Sequence, residues 1–184
     1  MVIQVILLSG RSGVGKTSVA NEISEQLRIR YLRHAHIDGD NLDMIYPEEH
    51  TSEILCLNLA AMWKNYHQHR GCNRLILSGT AMVLEHQVIQ RTIEQSSSAS
   101  SSLSPQGHLA IDLRGFILTA SDEVASERLR QREIGSLFDH HLQSSHRMAA
   151  ILEKEVGHWA CRISTEGQSV KSIALQILEQ AEWL

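Results

Sequence analysis

Apolar residues follow two rhythms along this chain, and the rhythms alternate. The run "VIQVILL" (2–8) is almost unbroken and rich in β-branched residues, as in a strand buried on both faces. After a glycine-rich turn the pattern changes, and over 17–28 Val19, Ile23 and Leu27 share one helical face. "YLRHAHIDGD" (31–40) reads as a second strand ending at Asp38 or Asp40, 53–66 as a helix, 75–77 as a short third strand and 82–94 as another helix. Within 53–66 and just beyond it, "MWKNYHQHR" (62–70) combines aromatic and basic residues. The helical spacing of Met62, Trp63 and Tyr66 favours packing over base stacking. "LRGFILTA" (113–120) predicts a fourth strand, 122–133 an arginine-rich helix and 142–156 a further helix. "ACRIST" (160–165) is a weak fifth strand before a closing helix over 170–183. Strands alternating with helices through short connections predict a three-layer α/β domain, with a parallel sheet covered on both faces.

One stretch belongs to neither rhythm. "QSSSASSSLSPQG" (95–107) has almost no apolar content and cannot offset its ordering entropy, so it is expected to be a flexible low-complexity loop inside a single domain spanning 1–184. A net charge of −4 and a pI near 6.2 provide no general basic field, which disfavours nucleic acid as a partner. Cys56, Cys72 and Cys161 have neither paired nor metal-type spacing and read as free thiols of a reducing compartment. The first apolar run is too short for a membrane span and leads into glycines rather than a cleavage site, so a cytoplasmic protein is expected.

The turn after the first strand carries the strongest chemical signal. "GRSGVGKT" (10–17) satisfies G-x-x-x-x-G-K-[ST] between a buried strand and an amphipathic helix. Its backbone N–H groups and the helix N-terminus form an anion cradle, so Gly10, Arg11, Ser12, Gly13, Val14, Gly15, Lys16, Thr17 and Ser18 are the expected nucleotide-binding residues. Lys16 is expected at the β- and γ-phosphates and Thr17 at Mg²⁺. A GTPase also needs a guanine-reading N-K-x-D, which is absent. "DLRG" (112–115) precedes a strand instead of following one, and "LILSGT" (75–80) ends without the acidic residue of motor-type ATPases.

The second strand supplies carboxylates instead. In "HIDGDN" (36–41), period-two geometry puts Asp38 and Asp40 on one side of an extended segment, facing the phosphate loop if strands two and one are neighbours. One carboxylate can hold Mg²⁺ while the other orients or deprotonates an acceptor hydroxyl.

A phosphate loop on strand one with D-x-D at strand two resembles the P-loop small-molecule kinases: the nucleoside monophosphate, adenylylsulfate, shikimate and gluconate kinases. The "DGDN" segment is similar to that of adenylylsulfate kinase. The resemblance implies strand order 2-3-1-4-5, ATP and Mg²⁺ as nucleotide and metal, Asp38 near the metal and Asp40 at the acceptor. It also implies a lid after strand four, whose arginines close on the transferring phosphoryl group. "SERLRQREIGS" (126–136) offers Arg128 and Arg132 at i, i+4, with Arg147 on the next helix as a further candidate. Glu123 and Glu127 are the alternative partners of a solvated helix. "STEGQSV" (164–170) corresponds to the loop that passes adenine, or equally to a turn capped by Ser169. "FDHHLQSSH" (138–146) groups Asp139, His140, His141 and His146 without zinc-site spacing, so a polar helix start near Asp139 is the expected reading, with His141 a candidate substrate contact. The D-G-[FY]-P segment of adenylate-type kinases is absent and "LSGTAMV" (77–83) stands in its place, so the resemblance does not name the acceptor. The expected activity is transfer of the γ-phosphate of ATP to a small hydroxyl compound, nucleoside or nucleotide, by a monomer or homodimer without nucleic-acid or membrane partners. The alternative is a nucleotide-binding regulator with slow or no ATP hydrolysis. Asp38, Asp40 and the arginine helix favour transfer, since a binder needs neither acceptor carboxylates nor a lid.

Overall fold

The computed structural model describes residues 2–47, 51–98, 110–132 and 138–184, without the side chains of 132 and 138–141. β1 (Val2–Ser9), β2 (Ala35–Asp38), β3 (Arg74–Ser78), β4 (Ala110–Thr119) and β5 (Ala160–Ser164) form one parallel sheet in the order β2-β3-β1-β4-β5. The apolar run at the amino terminus thus becomes the central strand. Ile3, Val5 and Leu7 of β1 face one core, shared with α2 (Glu53–Arg70), α3 (His86–Ser98) and α5 (Phe138–Glu155). Ile6 and Leu8 face the other, shared with α1 (Lys16–Arg28) and α6 (Val170–Gln180). Burial on both faces explains why β1 shows no polar alternation. α4 (Asp122–Arg132) adds Ala125 and Leu129 to the buried set.

Several boundaries move for identifiable reasons. β2 begins only at Ala35, because Tyr31 has a left-handed backbone (φ 58°) and Leu32 N–H bonds back to the Leu27 carbonyl. α2 continues to Arg70, where Gly71 at φ 64° closes it. The expected loop over 95–107 is corrected at its start, since α3 runs through Ser98. Ser97 and Ser98 donate to the Ile93 and Glu94 carbonyls one turn back (2.7 and 2.8 Å), and the fully buried Trp63 donates its indole N–H to Ser97 Oγ at 2.8 Å. A buried indole N–H usually finds such a partner, and here the packing contact recruits a serine that composition assigns to a loop. Residues 99–107 of that expected loop lie outside the described residues. Met62 and Tyr66 pack beside Trp63, as their spacing predicts. Among the described residues, no helix is long and apolar enough to cross a membrane.

Candidate active site

The phosphate loop joins the end of β1 to the start of α1, and its glycines carry distinct burdens. Gly13 has φ 89°, and a Cβ there would collide with the Ala125 carbonyl of α4. Gly15, at φ 96°, meets nothing within 4 Å, so its requirement is conformational alone. α1 starts with no side-chain cap and no acidic residue in its first turn. Its N–H groups are therefore left for an anion, as a phosphate cradle requires. Lys16 Nζ donates to the Gly10 carbonyl at 2.9 Å, which holds the ammonium inside the loop.

Beside the loop lies a cavity of about 430 Å³. Ser12, Gly13, Gly15, Lys16, Thr17 and Ser18 line one side, and Asp38, Asp40, Arg128 and Gln131 the rest. Gly10 and Val14 do not line it. Gly10 packs where a Cβ would meet the Leu118 carbonyl at 2.6 Å, and Val14 is fully buried in the core of α1 and α6. Arg132 ends α4, but its side chain lies outside the described residues, as do those of Asp139, His140 and His141.

The acidic pair is built differently from its sequence pattern. β3 separates β2 from β1, as in the order the resemblance implies, so the adjacency on which the shared-face argument depended is not met. The strand also stops at Asp38, and Gly39–Asn41 turn as a single 3₁₀ unit. Asp40 is therefore oriented by that turn rather than by a shared strand face. Asp38 accepts the Asp40 N–H at 3.2 Å. The Asp40 carboxylate accepts Thr80 N–H at 2.6 Å and Thr80 Oγ1–H at 3.0 Å, across the end of β3. The "SGT" after strand three thus provides the clamp on this carboxylate. On the same strand as Asp38, burial lowers the pKa of His36, and the Asp38 charge partly offsets this.

Asp40 also borders a second cavity of about 220 Å³, which Asp43, Ser52, Thr80 and Glu85 line together with Leu55 and Met82. Ser52 Oγ donates to Glu85 at 2.8 Å. Thr80, Asp43, Ser52, Glu85 and Gln131 carry no motif and are missed by sequence reasoning; only the position of Thr80 directly after a strand end signals a site residue.

Arg128 does not take either of the alternative glutamate partners. It donates from Nη1 to Thr165 Oγ1 at 2.9 Å, tying α4 to the loop after β5, while Glu127 pairs with Arg130 at 2.7 Å. Ser169 caps α6 by accepting Ser172 N–H, so the turn reading of that loop is realised.

Arg11 points away from the cavity and is 4% exposed. It donates Nε–H to Ser145 Oγ at 3.0 Å and pairs with Asp122; Ser145 in turn donates to the Ser12 carbonyl at 3.1 Å. His146 approaches Asp122 at 3.2 Å. This network fastens the phosphate loop to α4 and α5. Hydrogen bonding from Arg11 holds the Asp122 carboxyl below its ordinary range, with the Arg11 and His146 charges acting in the same direction. Because the folded pKa is the lower one, this contribution is complete above the unfolded value and disappears as pH falls through the folded value. Asp122→Asn is therefore expected to flatten the acid limb of thermal melts below about pH 4, most visibly at low salt. Identical acid limbs in the two proteins would show that the network does not contribute.

For a divalent metal, Thr17 and Asp38 border the cavity together. Among the described residues no cluster of three or more His, Cys, Asp or Glu could hold an ion. A Mg²⁺ with few protein ligands and several phosphate or water ligands fits that donor set.

A model of the adenylylsulphate kinase family matches residues 3–49, from β1 through the loop to just past Asp40. No curated protein matches the sequence. The adenylylsulphate (APS) kinase of Mycobacterium tuberculosis, solved with AMPPNP and APS, is 18% identical with a TM-score of 0.54, covering 97% of this chain and 97% of its own. Shikimate kinase from Acinetobacter baumannii, solved with shikimate, is 16% identical with a TM-score of 0.54, covering 100% and 94%. The tunicamycin resistance protein of Deinococcus radiodurans is 16% identical with a TM-score of 0.59, covering 97% and 96%. The chain shares its fold with these structures. Its five-stranded order agrees with the one that the resemblance implies. Within that fold, the 430 Å³ cavity lies at the carboxyl edge of the sheet, where open α/β sheets bind ligands.

Proposed function

We propose that the protein is an ATP- and Mg²⁺-dependent phosphotransferase whose acceptor is a small neutral or amine-bearing hydroxyl compound. The observation that carries this reading is the position of Asp40, which borders both the phosphate-loop cavity and the smaller one. A donor half and an acceptor half thus meet at one carboxylate. In this mechanism the acceptor hydroxyl attacks the γ-phosphorus and the bond to the β–γ bridging oxygen breaks, releasing ADP. The hydroxyl proton passes to Asp40 and then to water. Lys16 and Arg128 stabilise charge on the transferring group, and Thr17 and Asp38 would hold a Mg²⁺, which would supply neutralisation of the phosphate charge.

The acceptor class follows from charge. The smaller cavity is lined by Asp40, Asp43 and Glu85 and by no Lys or Arg among the described residues. At about 220 Å³ it is below the roughly 300–1,000 Å³ of drug-sized sites. Like-charge juxtaposition rejects an anionic acceptor, unlike the APS and shikimate bound by the two kinases of this fold. The test is ADP formation from ATP and Mg²⁺ with adenosine, glucosamine and 2-deoxystreptamine against AMP, gluconate and shikimate. Turnover is expected in the first group, with at least about tenfold lower efficiency in the second. Preference for the anions would reverse the acceptor class. ATP binding with no transfer to any compound would favour the regulator.

A further inference from the structure

We infer that the protein has a second ligand site, for a small multiply charged anion, at the amino-terminal edge of the sheet, opposite the phosphate loop. A cavity of about 570 Å³ opens there between the α1–β2 connection, which carries Tyr31 and Arg33, and the end of α2 with the turn into β3, which carries His67, Gln68 and Arg74. Its size falls within the roughly 300–1,000 Å³ of small-molecule sites. Two guanidinium groups border it, and none of its described lining residues is a carboxylate.

Two of the donors around this cavity are not consumed by the fold. Gln68 Nε2 and Arg74 Nε are buried donors with no hydrogen-bond acceptor among the described residues. Buried donors are nearly always paired, and an orphan calls for a partner. The end of α2 does not use them: Gly71 N–H bonds the His67 carbonyl at 3.0 Å and Cys72 N–H the Tyr66 carbonyl at 3.2 Å. His67 donates Nδ1–H to the Cys72 carbonyl at 2.7 Å. Those carbonyls are therefore already capped, and the cationic side chains are left to the cavity.

Gly71 adds a steric argument. It holds φ 64°, and a Cβ there would lie 3.1 Å from Arg33 Nη1, so the guanidinium lies directly over a residue without a side chain. The positive field also reaches Cys72: burial raises its thiol pKa, while Arg70 and Arg33 act in the opposite direction. Arg33 and Arg74 supply planar forks that match carboxylate or phosphate oxygens in pairs, and Gln68 adds a neutral donor. The matching ligand carries at least two negative charges, as phosphate or carboxylate groups. The site stands independently of the proposed transferase activity.

Two tryptophans report on occupancy. His67 stacks on Trp63 with centroids 5.4 Å apart, and the Arg74 guanidinium lies 6.0 Å from the Trp183 ring centroid. The experiment titrates citrate and, separately, inorganic pyrophosphate, reading tryptophan fluorescence and thermal shift. It is run in the Lys16→Ala background to weaken binding at the phosphate loop, with neutral triethyl citrate as the control. Saturable binding of either anion is expected, weakened about tenfold or more by Arg33→Ala through loss of one charge-assisted contact. Arg74→Gln is expected to act similarly, and because Arg33 is exposed its replacement remains informative even if Arg74→Gln fails to fold. Citrate preference would identify the ligand as carboxylate-bearing and pyrophosphate preference as phosphate-bearing, and both support the site. Absence of binding, parental affinity retained in both Arg33→Ala and Arg74→Gln, or an equal response to triethyl citrate would overturn it.

Discussion

Asp40→Asn is expected to lower phosphoryl transfer by about 10²–10⁴-fold, the usual contribution of a positioned general base. The substitution preserves shape and local bonding. Asparagine Oδ1 can still accept Thr80 N–H, and its amide can donate to Thr80 Oγ1, at the places where the carboxylate accepts at 2.6 and 3.0 Å. The loss is therefore one of proton acceptance rather than folding. ATP affinity is expected to change little, because the loop and helix that cradle the phosphates are untouched. Asp38→Asn is expected to behave differently and raise the Mg²⁺ requirement, since it borders the cavity with Thr17. Measuring transfer rate, ATP binding and Mg²⁺ dependence in both variants separates the two roles. Normal transfer by Asp40→Asn would refute the base assignment and strengthen the regulator reading.

Lys16→Ala is expected to reduce turnover at least about tenfold, since one charge-assisted contact is worth roughly 1.5–3 kcal/mol. The ammonium is held at the loop by the Gly10 and Arg11 carbonyls at 2.9 and 3.4 Å, within reach of an anion in the adjoining cavity. Replacing it leaves developing γ-phosphate charge uncompensated. The loop's shape also rests on the left-handed glycines and on the packing of Val14, so the circular dichroism spectrum is expected to remain that of the parent. Unchanged turnover in a folded Lys16→Ala protein would contradict the nucleotide assignment.

Local spacing alone made the layers and the phosphate loop legible. An unbroken apolar strand, a G-x-x-x-x-G-K-T turn and a helix with a clean apolar face are properties of neighbouring residues, and neighbours are what periodicity reads. The D-x-D pair was legible as chemistry, but its geometry was not. Period-two reasoning assumed an extended chain through Asp40, whereas a 3₁₀ turn begins at Gly39 and Thr80, forty residues away, holds the carboxylate. Arg11 lies inside the loop motif, yet packing turned its side chain towards Ser145 and Asp122. Arg128 could as well have faced Glu123 or Glu127 until α4 was set beside Thr165. The serines after Gln95 joined a helix, where Ser97 accepts the indole N–H of Trp63 in the core. The two cavities beyond the loop, one acidic and one basic, are each assembled from segments far apart in the chain. Strand order and helix packing decide which of these segments meet, and that depends on the summed burial of the whole domain rather than on the spacing of residues within any one stretch.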